Sequence, residues 1–263
     1  MKENKPIGIF DSGIGGVTVL REIIKILPNE NYIYYSDSKN NPYGDKSDKE
    51  IINLCDNIIK RMLEKDCKAI VIACNTASVK AAKYLREKYR ELPIIAIEPA
   101  YKMVHDYSYD QPTLVMATKG TIKSEKFNIL FKKYDNHKTY LCSCVGLADI
   151  IEKGNTEEIY NYLNKHIGVY KGKVQNVVLG CTHYPLVQEQ INEVLGGNIQ
   201  FFNGAGRLAL HLKEVLNENE LLNEEISIKN CENKIEFIDS QNLPEKEKRF
   251  FDILQKSYKK ATK

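Results

Sequence analysis

The sequence predicts an α/β protein of two similar lobes, each a mostly parallel sheet flanked by helices, with the active site at their interface. Three observations predict this. Apolar runs of strand length alternate with amphipathic helical patterns along the chain, as in parallel sheets covered on both faces. Two of these runs, Lys68-Ala69-Ile70-Val71-Ile72-Ala73 and Gln175-Asn176-Val177-Val178-Leu179-Gly180, stop at a cysteine followed by small polar or hydrogen-bonding residues, Cys74-Asn75-Thr76 and Cys181-Thr182-His183. No low-complexity linker divides the chain into independent modules. Ligands of open α/β sheets bind outside the carboxyl ends of the strands. A thiol there in each half predicts one site holding two thiols.

In order, Pro6 to Phe10 reads as a buried strand and Val17 to Leu27 as the helix after it, joined by Asp11-Ser12-Gly13-Ile14-Gly15-Gly16. Such a glycine turn lets backbone amides approach an anion at a helix N-terminus; a tight turn without a ligand fits it equally. Tyr32 to Asp37 is a second strand ending in an acid at about the ~20-residue distance of a dinucleotide fingerprint. Thr18 stands where the third small residue of that fingerprint belongs, which argues against a nicotinamide or flavin cofactor. Asn41-Pro42-Tyr43-Gly44 is a turn whose Tyr43 hydroxyl and Gly44 amide offer a ligand clamp. Ser47 and Glu50 form a capping box ahead of an apolar helical face that includes Cys55. After the strand into Cys74 come a helix from Ser78 to Arg90 and a strand from Pro93 to Ile97.

The alternation then resumes. Thr113 to Ala117 and Lys138 to Cys142 read as strands with one helix, Gly120 to Lys133, between them. Leu147 to Lys153 is helical, and Asn155 caps a further helix. Pro185 suits the first position of a helix running to Leu195. Ile199 to Phe202 is a strand, Leu208 to Leu216 a helix, Ile235 to Ile238 an edge strand, and a last helix starts at Pro244.

The 38 basic and 35 acidic residues are interspersed, apart from a Lys-rich end at Lys256, Lys259, Lys260 and Lys263, so no nucleic-acid footprint is present. No apolar run reaches membrane-spanning length and no signal-peptide core precedes the first strand, which predicts a cytoplasmic protein with no membrane partner. Seven scattered cysteines fit a reducing compartment rather than a disulfide framework.

A cysteine between a buried strand and a helix feels amides that favour thiolate and burial that opposes it. One thiolate and one thiol on opposite faces of a carbon would remove a proton from one side and deliver one to the other, inverting a stereocentre. Cys74 and Cys181 are placed for this; Cys67, Cys142, Cys144 and Cys231 are read as structural or exposed. Asn75-Thr76 and Thr182-His183 supply donors for a carboxylate, which must be neutralised before the adjacent carbon loses its proton. Asp11 and Ser12 would hold an ammonium group or cap the following helix, and His183 would assist one thiol or simply complete a turn. Two rival constellations are weaker. Cys142-x-Cys144 with Cys181-x-His183 offers four soft ligands at a spacing too short for structural zinc, so no metal is expected. A Cys181–His183 nucleophile leaves Cys74 idle.

Ile7 to Gly16, Pro42-Tyr43-Gly44, Ala73-Cys74-Asn75-Thr76-Ala77-Ser78 and Gly180-Cys181-Thr182-His183-Tyr184-Pro185-Leu186, in this order, closely resemble the glutamate racemases over nearly the whole chain. The resemblance implies a racemase that interconverts L- and D-glutamate without a cofactor, supplies D-glutamate for peptidoglycan and forms a homodimer. It implies that Cys74 and Cys181 are the acid/base pair, with Asp11, His183 and Glu152 assisting. Substrate contacts implied are Asp11, Ser12, Pro42, Tyr43, Gly44, Asn75, Thr76, Thr118, Thr182 and His183, with Thr121 beside Thr118. It also implies a first lobe of residues 1–97 plus 207–263 and a second of 98–206. Some relatives carry an N-terminal extension tied to activation by a cell-wall precursor; with a strand starting so early here, no such activation is expected. The rival substrates and classes are another acidic amino acid such as aspartate, and a non-catalytic amino-acid-binding protein.

Overall fold

A computed structural model describes residues 2–224 and 234–261, with side chains to residue 255. Cys231 and the lysine-rich terminus therefore lie outside the described side chains. Among the described residues, no helix is long and apolar enough to cross a membrane.

The chain builds two parallel sheets flanked by helices. The first holds β1 (Ile7–Asp11), β2 (Tyr32–Ser36), β3 (Ala69–Ile72), β4 (Ile94–Ala96) and β9 (Ile235–Asp239) in the order β4-β3-β1-β2-β9. The second holds β5 (Thr113–Ala117), β6 (Thr139–Ser143), β7 (Asn176–Gly180) and β8 (Gln200–Phe202) in the order β6-β5-β7-β8. Every strand pair is parallel. The carboxyl ends of β1, β3, β5, β6 and β7 converge on one cleft. Because side chains alternate along a strand, each sheet feeds two cores. Ile7, Ile9, Ala69 and Val71 pack on one face of the first sheet, while Phe10, Ile33, Ile70 and Ile72 pack on the other. Leu114, Met116, Val177 and Leu179 face one side of the second sheet, Val115, Val178 and Phe202 the other.

Flanking the first sheet are α1 (Val17–Ile26), α2 (Asp48–Glu64), α3 (Asn75–Lys88), α10 (Ala205–Glu218) and α11 (Pro244–Ala261). Ser47 caps α2 with the reciprocal Glu50 bond, an arrangement worth about 1 kcal/mol. The second sheet carries α4 (Tyr101–Ser108), α5 (Lys119–Lys123), α6 (Glu125–Tyr134), α7 (Leu147–Lys153), α8 (Thr156–Ile167) and α9 (Gln188–Leu195).

Three expectations are corrected. The helix after Cys74 starts at Asn75, not Ser78, so Cys74 is itself the N-cap residue and Asn75 and Thr76 form the buried first turn. Polar residues at a helix start look like loop in sequence. The single helix expected over 120–133 is two, because Ser124 ends α5 in extended geometry and its hydroxyl caps α6 through the Phe127 amide. The helix at Pro185 begins as a short 3-10 turn, Tyr184–Val187, before α9.

Candidate active site

Cys74 follows β3 and Cys181 follows β7, and both line one cavity between the two sheets. Ser12, Pro42, Tyr43, Gly44, Asn75, Thr76, Thr118, Thr182 and His183 line it with them. Asp11 and Glu152 do not. They stand behind the wall and hold its residues.

Two amides of the loop after β1 are taken by the protein's own carboxylates: Gly16 N–H donates to Asp11 Oδ2 at 2.8 Å and Ile14 N–H to Glu152 Oε1 at 2.8 Å. Glu152 comes from α7 on the other sheet, so the glycine turn serves as a socket between the sheets. His183 fills the same socket, with its ring so close that a Cβ at position 15 would sit 2.5–2.7 Å from three ring atoms. The glycine turn thus makes room for an imidazole and a carboxylate.

On the second-sheet side the polar groups form a chain. Cys181 Sγ is 3.7 Å from His183 Nδ1, and His183 Nε2 is 2.7 Å from Glu152 Oε1. Burial pulls the imidazole toward its neutral form, but the bonds to Cys181 and Glu152 outweigh it and hold the His183 pKa well above the usual range. Burial likewise raises the Glu152 carboxyl, and the His183 bond more than reverses this, leaving its pKa below the usual carboxylate value. The stable form of the pair is imidazolium with carboxylate.

The opposite wall is different in charge. Cys74 points its thiol toward Ser12 Oγ at 3.8 Å. Burial pushes the Cys74 thiol up, the nearby Asp11 carboxylate adds to the rise, and the Ala77 amide opposes it. Asp11 is fully buried, which raises its pKa despite His183 and the Gly16 and Thr182 bonds. Asp11 Oδ2 accepts the Thr182 hydroxyl at 3.1 Å, and the Thr182 carbonyl accepts from Thr18 at 3.0 Å. Asp11 therefore positions Thr182; its other oxygen, Oδ1, is buried without a hydrogen-bond partner.

At the cavity mouth, Thr76 and Thr118 place their hydroxyl oxygens 2.9 Å apart across the cleft. Thr121 fixes Thr118, donating its amide to Thr118 Oγ1 at 3.1 Å. Tyr43 departs from the clamp its turn suggested. Its hydroxyl donates to Asp37 Oδ2 at 2.5 Å, and burial keeps it protonated, leaving its ring and Gly44 to line the cavity.

A model describing the Asp/Glu/Hydantoin racemase family matches residues 7–208. The chain belongs to this family. A glutamate racemase of Clostridium perfringens (strain SM101 / Type A) is 45% identical over 226 residues, covering 84% of this chain and 87% of that protein. Among solved structures of the family, the Francisella tularensis glutamate racemase in complex with D-glutamate is 30% identical, with a TM-score of 0.78 over 96% of this chain and 94% of that one. The Escherichia coli glutamate racemase, solved with L-glutamate and the activator UDP-MurNAc-ala, is 26% identical with a TM-score of 0.80 over 96% and 95%.

Within this racemase-family fold, several cavity residues escaped the sequence reading. Asn41 Nδ2 donates to Asp149 Oδ1 at 3.0 Å across the cleft, and burial raises the Asp149 pKa. Asp149 lies three residues before Glu152 on α7, a spacing that puts both on one helix face. Lys119 lines the mouth, and Cys144 lines the wall although its sequence context suggested only a structural role.

Proposed function

We propose that this protein is a cofactor-independent racemase interconverting L- and D-glutamate, with Cys74 and Cys181 as the two proton carriers. The observation that carries the reading is the opening of both sulfurs onto one cavity from opposite sheets. Its mechanism follows from the asymmetry of the walls. One sulfur, as thiolate, takes the α-proton, so that an S–H bond forms as the C–H bond breaks and its electron pair spreads into the substrate carboxylate. The opposite thiol then delivers its proton to the other face of the same carbon. Cys74, kept as thiol by burial and Asp11, donates in one direction; Cys181, served by the His183–Glu152 pair, donates in the other.

Asn75 and Thr76 in the first turn of α3 offer donors at a helix N-terminus, where a carboxylate is favoured. Thr182 and His183 bound the other side, with Ser12, Pro42, Gly44 and Thr118 closing the cavity. Glutamate is favoured as substrate by 45% identity to a protein named for it. In the same reading the enzyme works in the cytoplasm as a homodimer in two lobes, 1–97 plus 207–263 and 98–206. Its D-glutamate feeds peptidoglycan synthesis.

The test is polarimetry of L-glutamate and, separately, L-aspartate with no added cofactor. Loss of optical rotation with glutamate, with deuterium entering the α-carbon in D2O, is the expected result. Aspartate turnover alone would reassign the substrate, and no turnover of either would leave a binding protein.

A further inference from the structure

Cys142 and Cys144 have no part in the proton chemistry above. Cys142 lies on β6, the exposed edge of the second sheet, and Cys144 follows just past the strand end. Their sulfurs are 3.6 Å apart, with the Cys144 thiol donating to Cys142 Sγ. The pair joins surface to site: Cys142 is half-buried, whereas Cys144 is buried and lines the cavity that holds Cys74 and Cys181. Among the described residues, no three His, Cys, Asp or Glu are grouped to hold a metal ion.

We propose that Cys142 and Cys144 form a reversible disulfide under hydroperoxide and that its closure remodels the active-site wall. In the first step, Cys142 thiolate attacks the peroxide: an S–O bond forms, the O–O bond breaks, and the leaving oxygen takes a proton. Cys144 then attacks the Cys142 sulfenic sulfur, forming S–S and breaking S–O, with its proton leaving in water. Two electrons pass from the thiols to the peroxide. The order follows from access and from charge, since the S–H···S bond holds Cys142 below the ordinary thiol pKa and Cys144 above it. Closure must bring the sulfurs from 3.6 Å to about 2.05 Å. That draws Cys144 off the cavity wall, where its carbonyl accepts the Tyr184 hydroxyl at 3.3 Å next to His183.

The test uses the full chain, fully reduced and then exposed to graded hydrogen peroxide. Trypsin leaves residues 139–153 as one peptide holding both cysteines. The expected result is loss of two hydrogens from that peptide, a fall in glutamate turnover of about tenfold or more, as ~1 Å displacements in a site can cause, and recovery of both with dithiothreitol. Cys142→Ser, or Cys142→Ala should serine destabilise the strand, keeps basal turnover and shows no dithiothreitol-reversible loss. Iodoacetamide labelling of Cys74 and Cys181 before and after oxidation reads the wall without any substrate. If reduced protein fails to turn over glutamate, the racemase reading falls alone and labelling still decides the remodelling. A peptide that keeps its hydrogens while cysteines elsewhere oxidise overturns the proposal, as does a closed bridge that leaves turnover and labelling unchanged.

Discussion

His183, just past β7, and Glu152 of α7 meet at 2.7 Å, and the same Glu152 oxygen takes the Ile14 amide of the glycine turn after β1 at 2.8 Å. One carboxylate thus orients the imidazole beside Cys181 and pins the two sheets together at the cavity. Arg249 of α11 adds a further tie, donating to the carbonyls of Ile151 and Glu152.

Replacing Glu152 with Gln tests the electrostatic half of that role. Glu152 is one of the two partners that raise the His183 pKa, so its loss lowers that pKa, and imidazolium persists only to a lower pH. The alkaline limb of kcat/KM should move to lower pH, with turnover down about tenfold or more as general acid–base support weakens. A pH–rate profile measures this; an unmoved limb would detach His183 from the chemistry.

Cys74→Ser and Cys181→Ser should each cut racemisation by about 10²-fold or more while leaving the circular dichroism spectrum intact. Serine nearly preserves the shape of cysteine but is a far poorer base near neutral pH. Polarimetry on either variant decides the matter, since near-normal turnover would remove that sulfur from the mechanism.

At Gly15, an added methyl would meet the His183 ring at 2.5–2.7 Å. The ring is 1% exposed and has little room to retreat. Gly15→Ala should therefore cost about 1–3 kcal/mol of stability and a larger share of activity. Urea unfolding alongside turnover measures both; wild-type activity would mean that the socket is slack.

Far from the cavity, Lys68 Nζ and Glu30 Oε2 pair at 2.5 Å with each side chain 1% exposed. Burial shifts both toward their neutral forms, against the pull of the pairing. Lys68→Met alone should cost about 3–5 kcal/mol by leaving the buried Glu30 carboxyl without its ion-pair partner, whereas adding Glu30→Leu should restore part of the loss. Chemical denaturation of the single and double variants checks it, and strict additivity of the two costs would sink the argument.

The sequence by itself determined the alternation of strands and helices, the parallel sheets and the two cysteines at matched strand ends, because apolar periodicity and turn chemistry are local signals. It also carried enough motif to indicate the family. Only the tertiary structure decided that Asp11 and Glu152 stand behind the cavity, that Tyr43 turns its hydroxyl to Asp37, and that Cys144 and Asp149 line the wall. These depend on which strand ends converge and on which buried polar group finds which partner. Both are satisfied between residues far apart in the chain, as Ile14 and Glu152 are, and no local pattern encodes that pairing.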